Sequence, residues 1–246
     1  MDSIKLVALD MDGTLLNSRE EVSEYTEEII AKVLEEDVHV VLSTGRWLDA
    51  CYPYAEQLRL RSYLVTSNGG EIWTINKELR DQHLLEPERV QMMWELGEEM
   101  GVNSWMVATD NVWRRSRPDD FFAHKWLKYG CDSLDTDKLD KIVEELSYYP
   151  ELELTNSLPT NVEVNPKGVN KASALKKVCD ELNITMNNVL AMGDSLNDIK
   201  MIEQAGMGIA MGNAQEAIKK AADYVTDTND NNGVAKALEK FVLQAK

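Results

Sequence analysis

Short apolar runs that stop abruptly in small polar residues recur at both ends of this chain, and this pattern restricts the fold more than any other feature. Residues 4–9 stop at Asp10, residues 38–42 stop at Ser43-Thr44-Gly45, and residues 63–66 stop at Ser67-Asn68-Gly69-Gly70. Between the first two runs, Tyr25, Ile29, Ile30, Val33 and Leu34 carry the spacing of a helix over 24–36. Toward the other end the sequence predicts helices over 171–182 and 198–205, a buried strand over 189–192, and short strands at 207–211 and 224–226. Strands alternating with helices and closing in small-residue loops are the sequence form of βαβ units and a parallel sheet. The stretch 81–166 has another texture. Helix candidates at 86–100 and 138–148 alternate with hairpin-like pairs, 102–108 with 112–115 and 152–155 with 162–164. The predicted fold class is therefore α/β, a doubly wound, Rossmann-like parallel-sheet core over 1–80 and 167–246, interrupted by an inserted α+β domain over 81–166.

Composition narrows the partners. With 26 basic against 43 acidic residues the formal charge is −17, so the averaged field repels nucleic acid and anionic membranes, and neither is an expected partner. A phosphorylated substrate would feel the same repulsion, so an anion site must concentrate positive charge from Lys, Arg, backbone N–H groups or a metal. Cys51, Cys131 and Cys179 form no CxxC pair or regular spacing, which reads as a reducing, cytoplasmic setting. No run reaches the roughly 18 apolar residues of a membrane span. Hydrophobic residues at 43% and charged residues at 28% are ordinary for a folded chain. Oligomeric state is not legible, and a monomer is compatible with the sequence.

The chemistry concentrates in Asp10-Met11-Asp12-Gly13-Thr14-Leu15, directly after the first apolar run. In extended chain, residues two apart point the same way, so Asp10 and Asp12 can converge at a strand's carboxyl end while Gly13 permits a tight turn. Asp194 and Asp198 follow the 189–192 run, and their spacing of four places them on one side of a starting helical turn. Gathering these acids is costly, since two like charges about 4 Å apart repel by roughly 4 kcal/mol at an effective dielectric of 20. A divalent cation would relieve the repulsion. No His or Cys stands in either motif, and oxygen-only ligands favour Mg²⁺ over zinc.

Together, Asp10-Met11-Asp12-Gly13-Thr14, Ser43-Thr44-Gly45-Arg46, Lys171 and Gly193-Asp194-Ser195-Leu196-Asn197-Asp198 resemble the motifs of the haloacid dehalogenase superfamily. Gly168-Val169-Asn170-Lys171 and Met211-Gly212-Asn213-Ala214 narrow the resemblance to its Cof-type phosphatases, which carry a cap domain inserted after the third core strand. The resemblance implies a Mg²⁺-dependent phosphatase of small phosphorylated metabolites. Asp10 would be the nucleophile that forms an aspartyl-phosphate and would also bind the metal. Asp12 would act as general acid and base, its backbone carbonyl on the metal. Thr44, Lys171, Asn197 and the N–H groups around Met11 and Gly45 would hold the phosphoryl oxygens. Asp194 would be a direct metal ligand and Asp198 a direct or water-mediated one.

Blander readings stand beside these. Ser43 and Thr44 also suit a helix N-cap. Lys171 competes with Lys167 for the basic role, and the family spacing selects Lys171. The role of Asn213 stays open. The inserted segments Trp113-Arg114-Arg115-Ser116-Arg117 and Phe121-Phe122-Ala123-His124-Lys125-Trp126 fit either a surface that reads the substrate or ordinary packing with solvated arginines. Two other functions use the same chemistry. A phosphomutase would return the phosphoryl group to a sugar, and a non-enzymatic phospho-acceptor would have no use for Asp12.

Overall fold

The computed structural model describes residues 3–244. Its larger sheet has eight strands: β1 (Leu6–Leu9), β2 (His39–Ser43), β3 (Tyr63–Thr66), β4 (Glu71–Thr74) and β5 (Leu79–Gln82), joined late in the chain by β11 (Val189–Gly193), β12 (Met207–Ala210) and β13 (Tyr224–Val225). Their order is β13-β12-β11-β1-β2-β3-β4-β5. The six strands from β13 to β3 run parallel, and β4 and β5 add an antiparallel edge. This sheet therefore reaches Gln82, just past the expected start of the insert.

The central parallel strands are largely apolar because both faces of the sheet are covered. On one face, Val7, Leu9, Val40, Leu42, Leu190 and Met192 pack on helices α1 (Glu24–Glu35), α2 (Leu48–Gln57) and α8 (Gly233–Leu238). On the other, Leu6, Ala8, Val41, Val65, Val189 and Ala191 meet α5 (Lys171–Glu181) and α6 (Ile199–Gln204). The twofold alternation of a strand thus feeds two hydrophobic layers. Helix α7 (Glu216–Ala221) packs beside β12.

The intervening residues build a second, wholly antiparallel sheet with its own core. Its strands are β6 (Asn103–Ala108), β7 (Val112–Arg114), β8 (Trp126–Asp132), β9 (Leu152–Thr155) and β10 (Asn161–Pro166), in the order β7-β6-β8-β10-β9. Helices α3 (Pro87–Met100) and α4 (Thr136–Ser147) cover one face. Pro87 opens α3, where its missing N–H costs nothing, and Gly101 closes it at φ 61°, in the left-handed region. Met106, Tyr129, Cys131, Val162 and Val164 point into this helix-covered layer. Their neighbours, Trp105, Val107, Lys128, Asp132, Asn161 and Glu163, take the opposite face. That face looks onto the carboxyl edge of the larger sheet.

Candidate active site

Strands β11, β1 and β2 lie side by side, so the segments that leave their carboxyl ends emerge together, the usual place for a ligand in an open parallel sheet. Asp10 follows β1, with its N–H donating to the Met192 carbonyl at 3.1 Å. Thr44 follows β2, bonded from its N–H to the Val65 carbonyl at 2.9 Å. Asp194 follows β11. Lys171 comes from farther off, as the first residue of α5, whose start is fixed by a reciprocal capping box between Asn170 and Ser173.

Lys171 is fully buried, and its Nζ donates to Asp10 Oδ1 at 2.6 Å and to Asp198 Oδ1 at 2.7 Å. Burial alone would lower its pKa, but contact with Asp10 and Asp198 outweighs burial and the ammonium is held charged. Lys167, by contrast, is exposed and reaches only Glu153, at 3.6 Å. Carboxylate oxygens of Asp10, Asp194 and Asp198 all lie within 4.8 Å of one another. Burial, then repulsion from Asp198 and Asp194, pushes Asp10 well above the ordinary carboxylate range against the pull of Lys171. Asp194 is pushed up to about 7, first by burial and then by Asp198. Such crowding is what an added cation would relieve. Asp198 Oδ2 accepts from the backbone N–H groups of Asp194 and Ser195 at 3.0 and 3.2 Å, so Asp198 braces both the loop and Lys171.

Close approach dictates Gly13. Its φ is +81°, and a Cβ there would stand 2.5 Å from Asp194 Oδ2. Asn213 clamps the same turn, donating from Nδ2 to the Gly13 carbonyl at 2.8 Å while accepting from the Asn229 N–H at 3.0 Å. Asp12 turns outward. Arg46 holds its carboxylate in a two-bond fork, Nη2 to Oδ1 at 2.5 Å and Nε to Oδ2 at 2.9 Å, and the Asp12 side chain stays about half exposed. Met11 is buried, and its carbonyl accepts from the N–H groups of Thr14 and Leu16. The Thr44 hydroxyl accepts from the Arg46 N–H at 3.1 Å. Asn197 follows Asp194 in the same loop, its Oδ1 accepting from the Ser195 hydroxyl at 3.0 Å.

A cavity of about 770 Å³ opens over these groups, its floor formed by Asp10, Asp12, Gly45, Asp194 and Asn197 and its roof by the polar face of the second sheet. The contact between floor and roof contains an ion pair that the sequence reading missed. Lys128 of β8 and Glu163 of β10 are both buried and 3.1 Å apart. Lys128 also donates to the Gly45 carbonyl at 2.9 Å, and Glu163 accepts from Asn68 Nδ2 at 2.6 Å. Ser67 and Asn68 take left-handed backbone, at φ 52° and 59°, to offer this contact. Burial would raise the Glu163 pKa, but Lys128 and then Asn68 outweigh it and the group is held below its ordinary range.

Replacing Lys128 with methionine should therefore strand a buried carboxylate and lower stability by about 3–5 kcal/mol at neutral pH. A depressed folded pKa contributes stability above the unfolded value that is lost as pH falls through the folded one. The melting deficit of Lys128→Met should accordingly shrink on acidification, as the stranded carboxyl takes a proton. Equal melting temperatures at neutral pH would show that the pair contributes nothing.

Comparison with known proteins agrees with this geometry. The family model for haloacid dehalogenase-like hydrolases matches residues 7–130 and 117–238. The chain is 50% identical over 240 residues to the Bacillus subtilis 5-amino-6-(5-phospho-D-ribitylamino)uracil phosphatase YcsE, covering 98% of this chain and 96% of that protein. It is 31% identical over 247 residues to the phosphoglycolate phosphatase of Methanobrevibacter smithii, covering 98% and 100% respectively. The crystal structure of a haloacid dehalogenase-like hydrolase from Bacteroides thetaiotaomicron superposes with a TM-score of 0.83 at 32% identity, over 97% of this chain and 99% of that one. Motifs, fold and relatives coincide, and the chain belongs to the haloacid dehalogenase-like hydrolases.

Proposed function

We propose that this hydrolase removes phosphate from small phosphorylated metabolites through a covalent aspartyl-phosphate on Asp10. The observation that carries this reading is the buried Lys171 ammonium bonded to Asp10, with Asp194 and Asp198 beside it, under a cavity large enough for a metabolite. An Asp10 carboxylate oxygen attacks phosphorus, and the bond from phosphorus to the ester oxygen breaks. Asp12, once released by Arg46 and protonated from solvent, gives that proton to the departing oxygen. Asp12, now a carboxylate, draws a proton from water as that water attacks phosphorus, and the bond to Asp10 breaks to release phosphate. Lys171, Thr44, Asn197 and the N–H groups near Met11 and Gly45 supply the positive field around the phosphoryl oxygens that an acidic protein otherwise lacks. The Arg46 fork must release Asp12 for the proton transfers.

The donor set fits a hard divalent ion: oxygen ligands only, from acids gathered within 4.8 Å, two of which are raised by burial and then by their acidic neighbours. Asp10, Asp194 and the Asp12 carbonyl would hold Mg²⁺, with Asp198 completing the acidic wall. When bound, the ion would neutralise charge on the phosphoryl group. Chelation should abolish hydrolysis of an aryl phosphate, and Mg²⁺ should restore it. Full activity after exhaustive chelation would remove the metal from the scheme.

Among substrates, the ribitylaminouracil phosphate named for the Bacillus subtilis relative is the compound we assign. Measuring phosphate release across a panel of metabolites tests this. Free phosphate without an isomeric product separates a phosphatase from a phosphomutase, and no release from any monoester would refute the proposal. Among the described residues no helix is long and apolar enough to cross a membrane, and the three cysteines are buried thiols. We place the protein in a reducing cytoplasm on the latter ground.

A further inference from the structure

The polar face of the second sheet carries one large aromatic side chain, and the strand beside it makes room for that ring. Trp105 stands opposite Gly130 in the β6–β8 register. A Cβ on Gly130 would lie 2.3 Å from Cε2 and Cζ2 of the Trp105 indole, so the ring lies directly against the Gly130 backbone. Glycine in the middle of a central strand weakens the sheet and commonly marks a close approach. Here the approach is by an indole that lines the catalytic cavity instead of joining the helix-covered core.

The residues that line the cavity with the ring divide into three kinds. Val107, Val112 and Leu158 extend the apolar surface, and Leu158 is 58% exposed at the cavity wall. Asn161 fixes the loop that carries Leu158, its Oδ1 accepting from the N–H groups of Ser157 and Leu158 at 3.1 and 3.2 Å. Arg114 is the cross-strand partner of Trp105 and supplies a donor. Asp132, two residues along β8 from Gly130 on the same face, supplies an acceptor and is steadied by Asn103 Nδ2 at 3.0 Å. A flat apolar surface with a cationic donor on one flank and a carboxylate on the other matches a planar heterocycle whose edge presents both carbonyl and N–H groups. A sugar alcohol phosphate alone would leave the indole without a use.

We propose that Trp105, laid flat by Gly130, is the stacking platform for a pyrimidinedione-type ring on the leaving group, with Asp132 accepting from the ring's N–H or amino groups and Arg114 donating to its carbonyls. The proposal rests on the phosphatase reading above and adds the residues that select the substrate. The phosphoryl end would lie at Asp10, and the ribityl chain would cross the cavity to the roof.

The test compares hydrolysis of 5-amino-6-(5-phospho-D-ribitylamino)uracil with that of ribitol 5-phosphate, which has the chain and the phosphate but no ring. In Trp105→Leu the ratio of the two kcat/KM values should fall by about 10- to 100-fold, mainly through KM for the ring-bearing ester, as expected for loss of one stacked base. Trp105→Phe should recover part of the ratio. Gly130→Ala, which keeps the indole but pushes it off the strand, should lower the ratio too. An unchanged ratio in Trp105→Leu would overturn the proposal, whether both activities persist or both fall together. Calorimetry with the phosphate-free 5-amino-6-ribitylaminouracil separates the platform from the catalysis. Binding weakened at least about tenfold by Trp105→Leu would support the platform even if the wild-type protein released no phosphate. Equal binding to both proteins, or none to the wild type, would refute it.

Discussion

Asp10→Asn is expected to lose phosphate release by about 10⁴-fold or more, the scale seen when a covalent nucleophile is removed from an enzyme whose other groups stay in place. The substitution is nearly isosteric, so the cavity and the β1 turn should persist. An amide oxygen carries too little charge to attack phosphorus, and the substitution removes one of the carboxylates proposed to hold the metal. Lys171 would keep Asp198 as its partner at 2.7 Å, so the ammonium would not be stranded. Burial and the neighbouring acids disfavour the charged Asp10, so the metal-free variant should fold at least as stably as the parent. Loss of activity without loss of melting temperature is therefore the signature. Turnover at the parental rate would remove Asp10 from the mechanism.

The second large effect is expected at Asp12, where the asparagine variant should lose at least about 10²-fold, the lower end for general acid–base catalysis. The loss should depend on the leaving group. An alkyl ester needs a proton as its oxygen departs, so both half-reactions should slow. An aryl phosphate leaves with little help, so only the attack of water should slow, and phosphoenzyme should accumulate. Burst kinetics with an aryl phosphate read this directly. Equal rates in parent and variant would exclude Asp12. The same experiment bears on Arg46, whose two bonds to Asp12 must break before that side chain can transfer a proton.

Much of this architecture is legible in the chain because parallel strands buried on both faces leave little freedom in composition. The apolar runs that precede Asp10, Thr44 and Asp194 are β1, β2 and β11, and their adjacency brings the motifs to one edge. Strands β4 and β5 escape notice for the opposite reason. Strand β5 is the sheet's edge, and Leu79-Arg80-Asp81-Gln82 carries a single apolar residue that is itself exposed, while β4 beside it is only four residues long. Strand β8 was hidden by its aromatic and basic surroundings. Yet Leu127, Tyr129 and Cys131 alternate with Lys128, Gly130 and Asp132, the period-two signal of a strand, here buried on both faces. Reading that alternation would have exposed the Lys128–Glu163 contact as a candidate, though not its pairing, which depends on the β8–β10 register. The aromatic segment of the insert divides in the structure. Phe121 and Trp126 are core, Trp113 packs on Trp126 and His124, and Arg114 lines the cavity. The outward turn of Asp12 was illegible because it depends on a side chain 34 positions away, Arg46, and spacing cannot convey a rotamer.

A rapid acid quench of a single turnover with a radiolabelled phosphate monoester, followed by peptide mapping, addresses the central claim without altering the protein. The account predicts that label rises and decays on the peptide containing Asp10 at rates that match phosphate release. Release at full rate with no label on that peptide, or label on any other residue, would contradict it.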